Sequence, residues 1–199
     1  MSLRFRSLGS GSAGNATLVE SGDGLRRRNL LIDCGMPLRR LTARLQQAGV
    51  EPGGLAAVFI THEHADHAGC VQQLALRLRI PVWMSRGTHA AMGAPDFDGL
   101  LRQARDGDML DIAGMQLQPF TVPHDAREPL QLRCSDGDRA LGLATDLGHA
   151  SAHVVDSLQR CHALLLEANH DPDMLAASNY PAFLKRRVAG DRGHLSNAA

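Results

Sequence analysis

Thr61-His62-Glu63-His64-Ala65-Asp66-His67 follows directly on the apolar segment Leu55-Ala56-Ala57-Val58-Phe59-Ile60, so a strand-like run delivers three imidazoles and a carboxylate into one loop. Imidazole is the commonest protein ligand for transition metals, and carboxylates bind harder ions or bridge two of them. A chain leaving a buried strand can aim such side chains around one point. Four ligands exceed what one open catalytic zinc takes from a protein, so the spacing H-x-H-x-D-H points to two metals. The helical H-E-x-x-H pattern of a metalloprotease does not fit, because two of these histidines stand two apart.

The chain has 199 residues, 44% of them hydrophobic, enough to bury one sizeable core in a single domain over 1–199. Formal net charge is zero, so the overall balance announces neither a nucleic-acid nor a membrane partner. Lys185 is the only lysine; the other cations are arginines. Cys34, Cys70, Cys134 and Cys161 form no C-x-x-C pair, which reads as reduced thiols in a cytoplasmic protein. The first fourteen residues lack the apolar core of a signal peptide, and no apolar run approaches twenty residues, so no membrane span is expected.

Strands are expected over Leu3–Leu8, Ala16–Glu20, Asn29–Asp33, Leu55–Ile60 and Pro81–Met84, then over Asp108–Ala113, Met115–Val122, Leu130–Cys134, Arg139–Ala144 and Ala163–Glu167. Helices are expected over Pro37–Gly49, Cys70–Arg79, Arg86–Met92, Ala150–Leu158 and Tyr180–Val188. In the first of these, Leu38, Leu41 and Leu45 share one face and Gly49 ends the helix. Strand runs interrupted by helices suggest packed sheets covered by helices, an αββα-like sandwich. The final Leu195-Ser196-Asn197-Ala198-Ala199 reads as an N-cap and the first residues of a helix, so the C-terminal portion of the domain is expected to be missing.

Three further segments carry ligand-type residues beside strand ends: Leu31-Ile32-Asp33-Cys34-Gly35, Thr121-Val122-Pro123-His124-Asp125 and Leu143-Ala144-Thr145-Asp146-Leu147-Gly148. Taken singly, Asp33 and Asp146 would cap turns; alongside the 62–67 cluster they read as its partners. In this order the segments resemble the motifs of the metallo-β-lactamase superfamily. Ser10-Gly11-Ser12-Ala13-Gly14-Asn15, Glu167-Ala168-Asn169-His170-Asp171 and Asp191-Arg192-Gly193-His194-Leu195-Ser196-Asn197 resemble its YycJ/WalJ-like branch, related to the RNase Z and RNase J nucleases.

That resemblance implies an αββα four-layer sandwich and a dinuclear metal-dependent hydrolase. It implies a phosphodiesterase or nuclease of the 5′-to-3′ DNA exonuclease type, using a metal-bound hydroxide, with DNA favoured over RNA. His62, His64 and His124 would hold one metal, Asp66 and His67 the other, and Asp146 would bridge them. Asp66 would also orient the attacking water. Asp33 would orient a ligand histidine from behind, and His194 would act on the scissile phosphate or leaving group. Ser10, Ser12, Asn15, Asn169, His170 and Ser196 are candidate substrate contacts. The mixed nitrogen and oxygen ligands suit Zn²⁺ and Mn²⁺ alike. The family completes its second site with a histidine downstream of Gly193-His194-Leu195-Ser196, which this chain does not reach, so that site is expected to bind its metal weakly or not at all.

Two other functions stay open on the sequence. One is hydrolysis of a small ester, thioester or lactone, since a fold does not dictate a substrate. The other is a non-catalytic fragment, should the missing ligand leave the second site incomplete. Arg86, Arg127 and Arg192 are candidate phosphate contacts for which solvated surface positions are the default. His89, His149, His153 and His162 belong to no motif, although His149 and His153 stand four apart on an expected helix.

Overall fold

The computed structural model describes residues 2–22 and 27–199. Strands β1 (Ser2–Gly9), β2 (Ala16–Gly22), β3 (Arg27–Ile32), β4 (Leu55–Phe59), β5 (Val82–Met84) and β6 (Leu101–Gln103) form one sheet in that order. β1, β2 and β3 are antiparallel to one another, and β3 through β6 run parallel. A second sheet has the order β11 (Ala163–Leu166), β10 (Ala140–Ala144), β9 (Leu130–Ser135), β8 (Met115–Thr121) and β7 (Leu110–Ile112), antiparallel except for the β10–β11 pair.

Alternation along the strands decides what each face packs on. In the first sheet Leu18, Leu31 and Val58 point one way, into a core with Leu41 and Leu45 of helix α1 (Leu38–Gln47) and Leu74 of α3 (Val71–Leu78). Their neighbours Val19, Leu30 and Phe59 point the other way and meet Leu117, Leu132 and Leu143 of the second sheet. The outer face of that sheet buries Phe120 and Ala144 under Val154 of α5 (Ala152–Leu158). The layers are therefore helix, sheet, sheet, helix, as the sequence implies.

The remaining helices are α2 (Ala65–Ala68), α4 (Arg86–Ala91), α6 (Pro172–Ala177) and α7 (Ala182–Val188). Each expected strand and helix occurs, with ends shifted by at most two residues. β6 escapes pattern reading because it is a three-residue edge strand with two exposed polar side chains. α6 is short but has a legible start, since the Asp171 carboxylate accepts the Met174 N–H and Pro172 follows it.

The end of the chain corrects the sequence reading. Ser196 forms an isolated parallel bridge with His170, and 197–198 form a turn rather than a first helical turn. The Asn169 N–H to Leu195 carbonyl bond (2.9 Å) and the Asn197 N–H to His170 carbonyl bond (2.8 Å) hold this segment against the stretch after β11. Among the described residues no helix is long and apolar enough to cross a membrane.

Candidate metal centre

β3 and β4 are parallel neighbours, so the loops leaving their carboxyl ends lie side by side. Asp33, just past β3, has φ of 61°, a left-handed backbone that Asp tolerates better than most residues. Its carboxylate lies under the loop leaving β4. It accepts the Thr61 N–H (2.9 Å) and Thr61 Oγ1–H (2.9 and 3.0 Å), and lies 2.8 Å from His67 Nδ1. Thr61 Oγ1 is in turn 3.0 Å from His62 Nδ1. One buried carboxylate thus fixes His67 directly and His62 through a hydroxyl, so that both histidines carry the proton on Nδ1 and turn Nε2 outward.

The ligand loop has no clearance beneath it. A Cβ on Gly35 would stand 1.7 Å from the Asp66 carbonyl oxygen, so only glycine fits there. Backbone bonds from Asn15 N–H to Asp66 O (2.7 Å) and from Cys34 N–H to His67 O (2.7 Å) seat the loop on its neighbours. The Asn15 amide also lies within 2.8 Å of His67 Nε2 and 3.3 Å of Asp66 Oδ2.

Among the described residues, ligand-type atoms converge in three groups, each within 4.8 Å: His62, His64 and His124; His62, His67 and Asp146; and Asp146, Glu167 and His194. In the first, His64 Nδ1 faces His62 Nε2 at 3.0 Å and His124 Nε2 at 3.4 Å. His124 Nδ1 donates to the Gly193 carbonyl (3.1 Å), which leaves its Nε2 as a lone pair. Three ring nitrogens crowded together, with those of His62 and His124 presenting lone pairs, are the ligand set a divalent transition metal takes. In the second group, His67 Nε2 is 2.8 Å from Asp146 Oδ2 and 3.8 Å from Asp66 Oδ2. Asp146, past β10, belongs to both the second and the third group. The residues present fit a pair of cations.

Residues 9–166 match the family model described as the metallo-β-lactamase superfamily. The chain belongs to that superfamily. It is 32% identical to exodeoxyribonuclease YycJ of Bacillus anthracis over 202 residues, which takes in 99% of this chain and 74% of the relative. It is 31% identical to exodeoxyribonuclease WalJ of Streptococcus pneumoniae, over 98% of this chain and 72% of the relative. The metallo-β-lactamase fold protein YhfI from Bacillus subtilis superposes with a TM-score of 0.73 over 98% of this chain and 78% of its own, at 16% identity, a likeness of fold alone. The chain is thus a hydrolase of the metallo-β-lactamase fold whose His and Asp groups are suited to divalent metals.

Electrostatics separates the two sides of this metallo-β-lactamase centre. Burial, reinforced by the charge on His67, lowers the His62 imidazole to about 2, and burial likewise lowers His124. Burial also pulls on His67, but Asp33 and Asp146 outweigh it and raise the ring to about 10. His194, bonded to Asp146 and Glu167, is likewise raised to about 10. Burial opposes the charge on Asp146, yet bonds from His194 and His67 hold its carboxyl well below the usual range.

Two clefts open from the centre. One, of about 540 Å³, lies between the N-terminal hairpin and the ends of β10 and β11, and includes Ser10, Ser12, Asn15 and Asn169 in its walls. The other, of about 340 Å³, opens toward α7 and Asp125. Asp66, Asp146 and His194 line both. His170 and Ser196 line neither cleft; they lie in an adjoining apolar groove with Leu147, Leu164 and Leu166, which His194 also lines. Arg86, Arg127 and Arg192 line neither cleft, whereas Arg187 lines the second. His149 bonds the Asp191 carbonyl and His153 bonds Asp106, so the two do not form a pair.

Glu167 is the residue whose part the sequence reading missed. Its Oε1 lies 2.6 Å from His194 Nδ1, while Oε2 accepts the N–H groups of Leu147 (2.9 Å) and Leu195 (3.2 Å). A signal existed. β10 and β11 are parallel with Ala144 beside Leu166, so Asp146 and Glu167 leave adjacent strand ends.

Proposed function

We propose that the chain is a dinuclear metal-dependent phosphodiesterase acting on DNA as a 5′-to-3′ exonuclease, in a cytoplasmic setting consistent with its four free thiols. The observation that carries the reading is the carboxylate-backed His194 standing beside two convergent ligand groups. His62, His64 and His124 would hold one cation and Asp66 and His67 the other, with Asp146 available to both. The nitrogen-rich first group suits Zn²⁺, and the carboxylates of the second admit Mn²⁺ as well. When bound, such a pair supplies an acidified water and neutralises charge on a phosphate.

The chain's own residues supply the rest. Asp33 keeps the His62 and His67 lone pairs aimed at the cations. Asp66, lining both clefts, orients the attacking water. Glu167 and Asp146 hold the proton of His194 on Nδ1, while its Nε2 has no protein partner among the described residues. His194 is placed to stabilise or protonate the departing oxygen. Likeness to two exodeoxyribonucleases over nearly the whole chain supports DNA as substrate.

The test is cleavage of 5′-labelled single- and double-stranded DNA and RNA by metal-reconstituted protein. Release of mononucleotides from a 5′ end of DNA is expected. Metal-loaded protein that cuts neither polymer overturns the reading. Hydrolysis of a small ester, thioester or lactone is the second reading, favoured by the lack of any Lys or Arg in the wall of the larger cleft. Faster turnover of a chromogenic lactone than of bis(p-nitrophenyl) phosphate would select it.

A further inference from the structure

The two clefts meet at Asp66, Asp146 and His194 but differ in chemistry away from them. The larger has the polar side chains of Ser10, Ser12, Thr17 and Asn169 and the carboxylates of Asp33 and Glu167 in its wall, and no Lys or Arg lines it. The smaller has Arg187 in its wall, opposite His64 and Asp125. A nucleic-acid strand alternates in the same way, neutral at sugar and base and anionic at each phosphate. With the scissile phosphate at the shared residues, the cation-free cleft suits a nucleoside and the other suits the next phosphate.

Arg187 is oriented for such a contact. Its Nε donates to Asp125 Oδ2 at 2.5 Å, and its side chain is 57% exposed. A guanidinium has five N–H groups, so one is used and both terminal nitrogens remain without a protein partner among the described residues. Asp125 Oδ1 lies 3.7 Å from His64 Nε2 and 3.5 Å from His124 Nε2, so one carboxylate ties the guanidinium to the rim of the first ligand group. Arg186, next along α7, is also exposed. With Nε held by the carboxylate, the two terminal nitrogens keep the planar fork that binds a phosphate bidentately.

We infer that Arg187, held by Asp125, forms a phosphate subsite on the α7 side of the centre, taking the phosphate next to the one being cleaved. The inference rests on the phosphodiesterase reading. It sets the path of the strand: the nucleoside on one side of the scissile bond enters the larger cleft, which offers no Lys or Arg to a phosphate, and the backbone on the other side leaves over α7. The alternative role of the Arg187–Asp125 pair, merely tying α7 down, predicts loss of fold or metal without selectivity for substrate length.

The experiment compares wild type, Arg187→Gln and Arg187→Lys, each with metal content measured. Binding of a hydrolysis-resistant phosphorothioate single strand is followed by fluorescence anisotropy across a salt series. The glutamine variant should lower the slope of log affinity against log salt by about 0.7, the value for one phosphate contact on a single strand, while the lysine variant keeps the slope and binds more weakly. In turnover, the glutamine variant should lose roughly fivefold more kcat/KM on a decanucleotide than on a dinucleoside monophosphate, which has no neighbouring phosphate. Unchanged salt slope, or equal losses on both substrates, overturns the subsite while leaving the phosphodiesterase reading in place. Wild-type protein that cleaves neither substrate overturns that reading, and the subsite with it.

Discussion

Around His62, His64 and His124 the protein offers three imidazoles facing one another, two of them pushed by burial toward the neutral form. Around His67 it places Asp33 on one ring nitrogen and Asp146 on the other, and the ring is driven the opposite way. His62 and His124 are ready for a cation with no proton to displace, whereas His67 holds a proton that a cation must expel. The difference comes from where carboxylates stand, since burial acts in the same direction on all three of these rings.

The sharpest way to break this comparison is Asp146→Ala. It removes the one side chain common to the His67 and His194 contacts. Both metals should be lost from the purified protein by elemental analysis, and phosphodiesterase activity should fall at least ~10³-fold, beyond the 10–100-fold typical of residues behind the ligands. Retention of two metals per chain would refute a ligand role shared between them. His194→Ala should spare metal content and cost about 10²- to 10³-fold in turnover, the range for a lost general acid. Glu167→Gln should shift turnover in the same direction by less, and full activity in His194→Ala would remove that role.

Asp33→Ala leaves both ligand groups in sequence but frees two of their histidines. Metal affinity should drop roughly 10- to 100-fold, read by competition with a chromogenic chelator, with the His67 side affected more because its contact with Asp33 is direct. The mildest effect is on pH. With His67 raised to about 10, the metal-free ring is protonated at neutral pH. Uptake on that side should therefore release one proton and weaken about tenfold per unit as pH falls below 10. With His62 at about 2 and His124 lowered, those two rings should release almost no proton on metal uptake around neutrality. Titration calorimetry in buffers of different ionisation enthalpy separates the two, and equal proton release from both would contradict the contrast.

How much of this was legible in the sequence follows from the range of the interactions. The six candidate ligand residues could be picked out because their spacing and strand-end positions are local; five of them fall in the converging groups, and Asp66 Oδ2 lies 3.8 Å from His67 Nε2. Leu18 and Val19, or Leu30 and Leu31, read only as apolar runs, yet adjacent residues serve different cores because each sheet is covered on both faces. Glu167 was visible as an acid after a strand, but its partner lies 27 residues on and depends on how the chain end folds back. Asp125 and Arg187 are 62 residues apart and meet only because α7 crosses the loop after β8. The final residues misled because a Ser-Asn start looks the same before a helix and before a bridge.

The contact between Gly35 and the backbone at Asp66 bears on how folding and metal uptake are linked. In a zinc finger the cation pays for ordering the chain, and chelators denature it. Here the loop rests on a glycine, is pinned by the Asn15 and Cys34 amides, and is underlain by two apolar cores that need no ion. Chelated protein should therefore keep a cooperative thermal melt. Added cation should raise the midpoint gradually, with the logarithm of its free concentration, as for any ligand of an already folded host.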